Sequence, residues 1–217
     1  MENGGGPAAS VFYAMTDRHA SFAELSRDMR EGVDFEVRLS RGPLPVRVIA
    51  PHAGRIEPGT GRIARAIAGS LFSVYEFRGI RPSGNRRLHL TSHRFDEPRC
   101  LAAVRLAHLA VSVHGVRGNA EFVMVGGRAA ELAEMMRTAL SDAGFFVRKA
   151  ESGLRGTHPR NICNQGHSGR GIQLEISAEL RRRLVREPER RNRFGEAVRS
   201  VLEHRFRSSA SRPMEWK

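Results

Sequence analysis

The stretch that most restricts the fold runs from Val46 to Gly69, VRVIAPHAGRIEPGTGRIARAIAG. It opens with Val46, Val48, Ile49 and Ala50, the near-continuous apolar run of a strand covered on both faces. Pro51 is expected to end that strand, leaving His52 and Glu57 in a short loop broken by Gly54 and Pro58. From Thr60 the spacing predicts a helix, with Ile63, Ile67 and Leu71 at i, i+4 and i+8. A buried strand, a polar loop and an amphipathic helix together make a repeating unit of α/β domains. In such domains ligands gather at the carboxyl ends of strands.

His52 and Glu57 are five residues apart, about 500° around a helix, so on a helix they would point to different faces. A loop bent at Gly54 can bring both to one ion. Imidazole and carboxylate are two of the usual three protein ligands of a catalytic zinc, whose fourth position is left to water. A plain loop histidine, with a glutamate placed where the helix dipole favours it, explains the same pair.

Two further runs bear on that choice. Ala110–His114, AVSVH, is a short apolar run ending in histidine. If it lies beside the first strand in a parallel sheet, His114 is a third ligand; a core histidine bonded to a carbonyl is the alternative. Ile172–Ile176, IQLEI, carries Glu175 inside a strand, where alternation places Gln173 and Glu175 on one face. An edge strand with that face in water fits the pattern equally well. Two histidines and a carboxylate at strand ends, with a separate carboxylate, are what a metal-assisted hydrolase requires.

The rest of the chain continues the strand–helix alternation. Ser21 and Glu24 form a capping box opening a helix that should end near Gly32. Strands are expected at 35–39, 73–78, 88–91 and 121–125, with another starting at 145–147, and the basic stretch 79–87 reads as a loop. A helix should begin at Asp96 with Pro98 in its first turn, carrying Leu101, Val104 and Leu106. Another should span 128–142, with Leu132, Met135, Met136, Ala139 and Leu140 facing the core. Residues 151–171 lack periodicity, and a loop of that length in a compact domain is usually functional or disordered. Its His158, Cys163 and His167 could hold a second metal or form a substrate rim. Ser177 should cap a helix, Pro188 should interrupt it, and the final helices present arginine-rich faces. The expected architecture is α/β, a single three-layer domain over 11–217 with a mixed, mostly parallel sheet, preceded by a flexible tail at 1–10.

Composition narrows the partners. The 217 residues carry a net charge of +13, and apart from Lys149 and Lys217 every basic side chain is arginine. Such a surface attracts polyanions, and guanidinium groups bind carboxylates through paired hydrogen bonds. A specific nucleic-acid binder is disfavoured, because aromatics make up only 6% and no stacking motif or zinc-finger spacing appears. No apolar run approaches the roughly 18 residues of a membrane span, and MENGGGPAAS is not a secretory signal. Two cysteines make no disulfide framework, so a cytoplasmic setting is expected.

Five motifs, PHAGRIEPGT, LHLTSHRFDEP, VSVHGVRG, GTHPRNICNQG and GIQLEIS, occur in this order over roughly residues 12–180. With them the chain resembles the poly-γ-glutamate hydrolase family: zinc-dependent, phage-related enzymes with a zinc-carboxypeptidase-like fold that cleave γ-glutamyl amide bonds. The resemblance implies that His52, Glu57 and His114 are the zinc ligands. It also implies that Glu175 activates the metal-bound water and then protonates the leaving amine, with a polyanionic γ-glutamyl polymer as substrate. Arg94 resembles the arginine that follows the metal motif in related zinc amidohydrolases and carboxypeptidases. Asn161, Asn164 and Arg170 are candidates for holding substrate carboxylates. Two departures stand out: Ala53-Gly54 replaces a glycine pair after the first histidine, and Gln165 stands where the family often has arginine. Neither is a proposed ligand, so they bear on substrate preference. A zinc amidohydrolase of small N-acyl glutamates is the nearest alternative reading.

Overall fold

The computed structural model describes residues 17–210, so the tail expected at 1–10 lies outside the described residues. The strands are β1 (Phe35–Ser40), β2 (Leu44–Gly54), β3 (Phe72–Gly79), β4 (Leu109–Val116), β5 (Val123–Gly127), β6 (Val147–Arg148) and β7 (Ile172–Ser177). The helices are α1 (Phe22–Asp28), α2 (Thr60–Ala68), α3 (Pro98–Arg105), α4 (Ala130–Asp142), α5 (Ala178–Arg186) and α6 (Pro188–Ala210). All seven strands join one sheet in the order β1-β3-β2-β4-β7-β5-β6. The pairs β2–β3, β2–β4, β4–β7 and β5–β6 are parallel, whereas β1–β3 and β5–β7 are antiparallel. This is the three-layer α/β domain with a mixed, mostly parallel sheet that the alternation predicts.

Side-chain alternation sorts the central strands between two cores. Val46, Val48, Val111, Val113, Ile172, Leu174 and Ile176 pack with Ile63 and Ile67 of α2, Met136 and Leu140 of α4, and Phe194 and Val198 of α6. On the opposite face Ile49, Tyr75, Phe77 and Ala110 meet Leu25 of α1, Val104 of α3, and Leu88, Leu90 and Phe95 from the intervening loops. Each fully buried aliphatic or aromatic side chain contributes roughly 1.5–3 kcal/mol. The sheet is thus covered on both sides near its middle, as parallel strands require. Among the described residues no helix is long and apolar enough to cross a membrane.

Several local expectations are corrected. Strand β2 does not stop at Pro51 but continues to Gly54 through an irregularity between Ala50 and Ala53. Helix α2 ends at Ala68, and Leu71 lies beyond it because the chain turns at Gly69, where φ is 54°. Helix α1 ends at Asp28, since Met29 is already extended. Residues 88–91 form no strand: a 3-10 turn covers Asn85–Leu88, and both edges of β2 are already taken by β3 and β4. Glu97, not Asp96, caps α3 by accepting from the Cys100 backbone N–H, whereas Asp96 accepts from the Phe22 N–H. Leu106 falls just past α3 and is 84% exposed. On α4, Met136 is buried but Met135 turns outward. Strand β7 is no edge strand; it sits between β4 and β5 with every residue buried.

Candidate metal centre

The irregularity in β2 decides where His52 points. Val46, Val48 and Ala50 alternate into the helix-side core, so an unbroken strand would send His52 there as well. Between the pairs Ala50–Glu76 and Ala53–Arg78, two residues of β2, Pro51 and His52, stand against one of β3, Phe77. The extra residue puts Ala53 into that core and turns His52 to the other face of the sheet. Two residues on, Gly54 adopts φ +67°, and a Cβ there would lie 2.4 Å from the Gly79 carbonyl oxygen. Only glycine lets the chain leave the sheet here, and the bend carries Glu57 back over the strand end.

His114 arrives from the neighbouring strand. Leu109, Val111 and Val113 of β4 face the helix-side core, so His114 falls on the same face as His52. The ladder between β4 and β7 sets His114 opposite Glu175, and alternation in β7 turns Gln173 and Glu175 to that face. A sheet face therefore gathers four chemically active side chains from distant parts of the sequence.

The three metal-type side chains converge. His52 Nδ1 is 3.1 Å from Glu57 Oε1 and 3.2 Å from His114 Nδ1. One ligand atom from each of the three residues lies within 4.8 Å of the others, and all three residues are buried. Bonds of 2.0–2.1 Å in a tetrahedron demand ligand separations of about 3.3 Å, close to the two measured edges. The outer ring atoms are also engaged. His52 Nε2 is 2.8 Å from the Leu90 carbonyl oxygen, so it donates there and leaves Nδ1 bare toward the cluster. His114 Nε2 lies 3.2 Å from Ser92 Oγ, and Glu57 Oε2 accepts from the Gly115 backbone N–H at 2.7 Å. Two neutral imidazoles and one carboxylate, each oriented from behind, form a donor set suited to zinc.

Electrostatics agrees with that reading at Glu57 and His114, whereas at His52 the ion would have to displace a proton that Glu57 favours. Burial alone would raise the Glu57 carboxyl, but adjacent His52 holds it down to about 2. Burial likewise opposes charge on His52, yet the Glu57 carboxylate leaves its pKa raised above the usual histidine value. Burial, together with His52, lowers His114 to about 3, so its imidazole is neutral, the form that binds metal. Glu175 goes the other way. Burial first, then the nearby Glu57 charge, pushes its pKa well above the ordinary carboxylate value. A carboxyl shifted upward in this way holds its proton more firmly than a free one, the direction that suits a group that must hand a proton on.

A cleft of about 630 Å³ opens over the cluster and includes Glu175, Asn161, Arg86, Arg117 and Arg181 in its walls. Of the anticipated substrate contacts, the structure brings only Asn161 to this lining. Its Nδ2 donates to Gln173 Oε1 at 2.8 Å, and Gln173 Nε2 donates to Glu175 Oε1 at 2.9 Å. Asn164 is spent on the loop itself: it donates to the Gly156 and His158 carbonyls and accepts from the Gly171 N–H. Arg94 and Arg170 are exposed and do not line the cleft. The second metal set does not assemble. Cys163 is buried with its Sγ 4.0 Å from the Gly156 carbonyl oxygen, and His167 is exposed beside His108. His158 lies instead at the cleft, its ring 5.0 Å from that of His93.

Sequence reasoning missed three participants. His89 stacks on His52 at 4.1 Å, and its Nδ1 is 2.7 Å from Asp17 Oδ1. The histidine in LHLTSH was available as a signal; Asp17, 72 residues earlier, was not. Arg181 is buried, donating to the carbonyls of Ile176, Pro58 and Val116, and a Cβ at Gly115 would collide with its guanidinium. Within the run Arg181-Arg182-Arg183 nothing marks it out.

Known proteins resemble this chain in sequence and fold. The SPbeta prophage-derived protein YoqZ of Bacillus subtilis (strain 168) is 36% identical over 170 residues, 77% of this chain, which spans 61% of YoqZ. A bacteriophage poly-gamma-glutamate hydrolase superposes with a TM-score of 0.83 at 30% identity, covering 89% of this chain and all of the phage structure. A zinc-free apo form of YndL does so with a TM-score of 0.83 at 31% identity, covering 88% of this chain and all of its own. The sequence pattern of the poly-gamma-glutamate hydrolases matches residues 19–204, and by that match this chain belongs to the poly-gamma-glutamate hydrolase family.

Proposed function

We propose that this chain is a zinc-dependent hydrolase that cleaves γ-glutamyl amide bonds, with poly-γ-glutamate as its substrate. The observation that carries the reading is the convergence of His52, Glu57 and His114 beside a buried, upshifted Glu175 in one arginine-rimmed cleft. Zinc, when bound, supplies Lewis acidity that makes water nucleophilic at neutral pH and polarises the scissile carbonyl.

The protein's own groups do the rest. His52, Glu57 and His114 hold the ion, fixed in tautomer and direction by Leu90, Gly115 and Ser92. Glu175 takes a proton from the attacking water and returns it to the leaving amine, the work a raised carboxyl suits. Gln173, itself held by Asn161, aims Glu175. Arg86 and Arg117, exposed on the rim, match the α-carboxylates of a γ-glutamyl chain. Arg94 and Arg170, outside the cleft, are left for contacts with a long polymer.

Incubating the zinc-loaded protein with γ-linked polyglutamate, α-linked polyglutamate and small N-acyl glutamates, read by mass spectrometry, tests the reading. Cleavage of the γ-linked polymer that stops on chelation and returns with zinc is expected. Turnover of only the small acyl compounds would transfer the function to them, and full activity after chelation would remove the metal from the chemistry.

A further inference from the structure

On the other side of the 54–59 loop lies a second cavity, of about 420 Å³, between α2 and α5. Six guanidinium groups line it: Arg62 and Arg65 from α2, Arg78 from β3, and Arg181, Arg182 and Arg186 from α5. The carboxylates near them are fewer. Buried Glu76 pairs with Arg65 and with Arg78, and Glu36 also pairs with Arg78. Glu179 pairs with Arg182 and, at 3.9 Å, with Arg186. Arg181 is spent on backbone carbonyls and also feels Glu57 and Glu175, which leaves five guanidinium groups facing Glu76, Glu36 and Glu179. Among the described residues Arg62 has no carboxylate within ion-pair distance.

The space is built rather than left over. Gly54, Gly59 and Gly61 line it, and a Cβ at Gly61 would lie 2.3 Å from a Glu76 carboxylate oxygen. It also shares a wall with the metal cleft, since Pro58 and Arg181 line both. Arg181 fixes that wall by donating to the Pro58 carbonyl at 2.7 Å.

We propose that this cavity is a second anion subsite, which takes a carboxylate-bearing stretch of the γ-glutamyl chain extending beyond the cleft. The proposal rests on the function argued above. Guanidinium groups bind carboxylates in paired hydrogen bonds, and a polymer repeating one carboxylate per residue can fill cleft and cavity together. Each exposed pair contributes little alone, so the effect belongs to the cluster and grows with substrate length.

The test is the pair Arg62→Glu/Arg186→Glu, with Arg62→Gln/Arg186→Gln as a milder partner in case charge reversal disturbs folding. Zinc-loaded protein is assayed on long poly-γ-glutamate and on γ-linked triglutamate. Binding of labelled poly-γ-glutamate and of a single-stranded DNA oligonucleotide to the zinc-stripped full chain is read by fluorescence anisotropy. The expected result is a KM for the long polymer raised about tenfold, with a much smaller change for the trimer and a similar weakening of polymer binding. Equal effects on polymer and trimer would overturn the subsite. So would weakened DNA binding with polymer kinetics and binding unchanged. If wild-type protein cuts no polymer, the proposed function fails, yet polymer affinity in wild type and variant still decides the cavity.

Discussion

The chain holds two trios of metal-type side chains, His52/Glu57/His114 and His158/Cys163/His167, and only the first comes together. The difference lies in what carries them. His52 and His114 ride on adjacent parallel strands of a sheet covered on both faces, so hydrogen-bonded ladders fix their separation. Glu57 is returned to them by one glycine-dependent bend. The second trio sits on a loop whose shape is set by amides: Asn161 caps a 3-10 turn and Asn164 ties Gly156, His158 and Gly171 together. That bonding buries Cys163 facing a carbonyl and leaves His167 outside. Ligand chemistry in a sequence becomes a site only where rigid backbone brings it to one point.

The largest effect should come from breaking the first trio. His52→Ala, Glu57→Ala or His114→Ala should each abolish zinc retention, read by metal analysis after dialysis, and with it hydrolysis. Retained stoichiometric zinc in any of them would mean the ligands lie elsewhere.

A sharper cut is Glu175→Gln, which should keep the metal and lower kcat by about 10²–10⁴, the span of general acid–base contributions. The sign of its effect on stability follows from the raised pKa. In the unfolded chain Glu175 ionises above about 4.5, while in the metal-free folded state it gives up its proton only at higher pH, so this residue costs the fold stability as pH rises past that value. The glutamine variant of the zinc-stripped protein should therefore melt higher than wild type at pH 7, by about 2–4 °C for each ~1 kcal/mol relieved, and the gain should shrink toward pH 4. An unchanged or lower Tm at pH 7 would contradict the burial argument.

The smallest effects belong to the second trio. Cys163→Ala and His167→Ala should leave zinc content at the wild-type level. Asn164→Ala should leave it there too, but strand buried carbonyl and N–H partners at a cost of about 1–3 kcal/mol, seen as a lowered Tm. Loss of zinc from any of these three variants would erase the contrast between the trios.

Much of the molecule was legible in its residues because the relevant physics is local. Apolar runs and turn signals marked β2, β4 and β7, and the helical pattern beginning at Thr60 and the cap at Ser177 were readable from spacing alone. His52, Glu57, His114 and Glu175 stood out at the ends or inside of apolar runs, but spacing left plain structural readings open, and it was the resemblance carried by five ordered motifs that gave them roles. Position was another matter. An inserted residue in β2 reverses the face on which His52 sits, and no local pattern announced it. The burial of β7, the Asp17–His89 pair, the separation of Arg181 from its neighbours and the retirement of Asn164 into the loop were likewise fixed by packing. Each depends on contacts between segments tens of residues apart, and those exist only once the sheet has chosen its strand order.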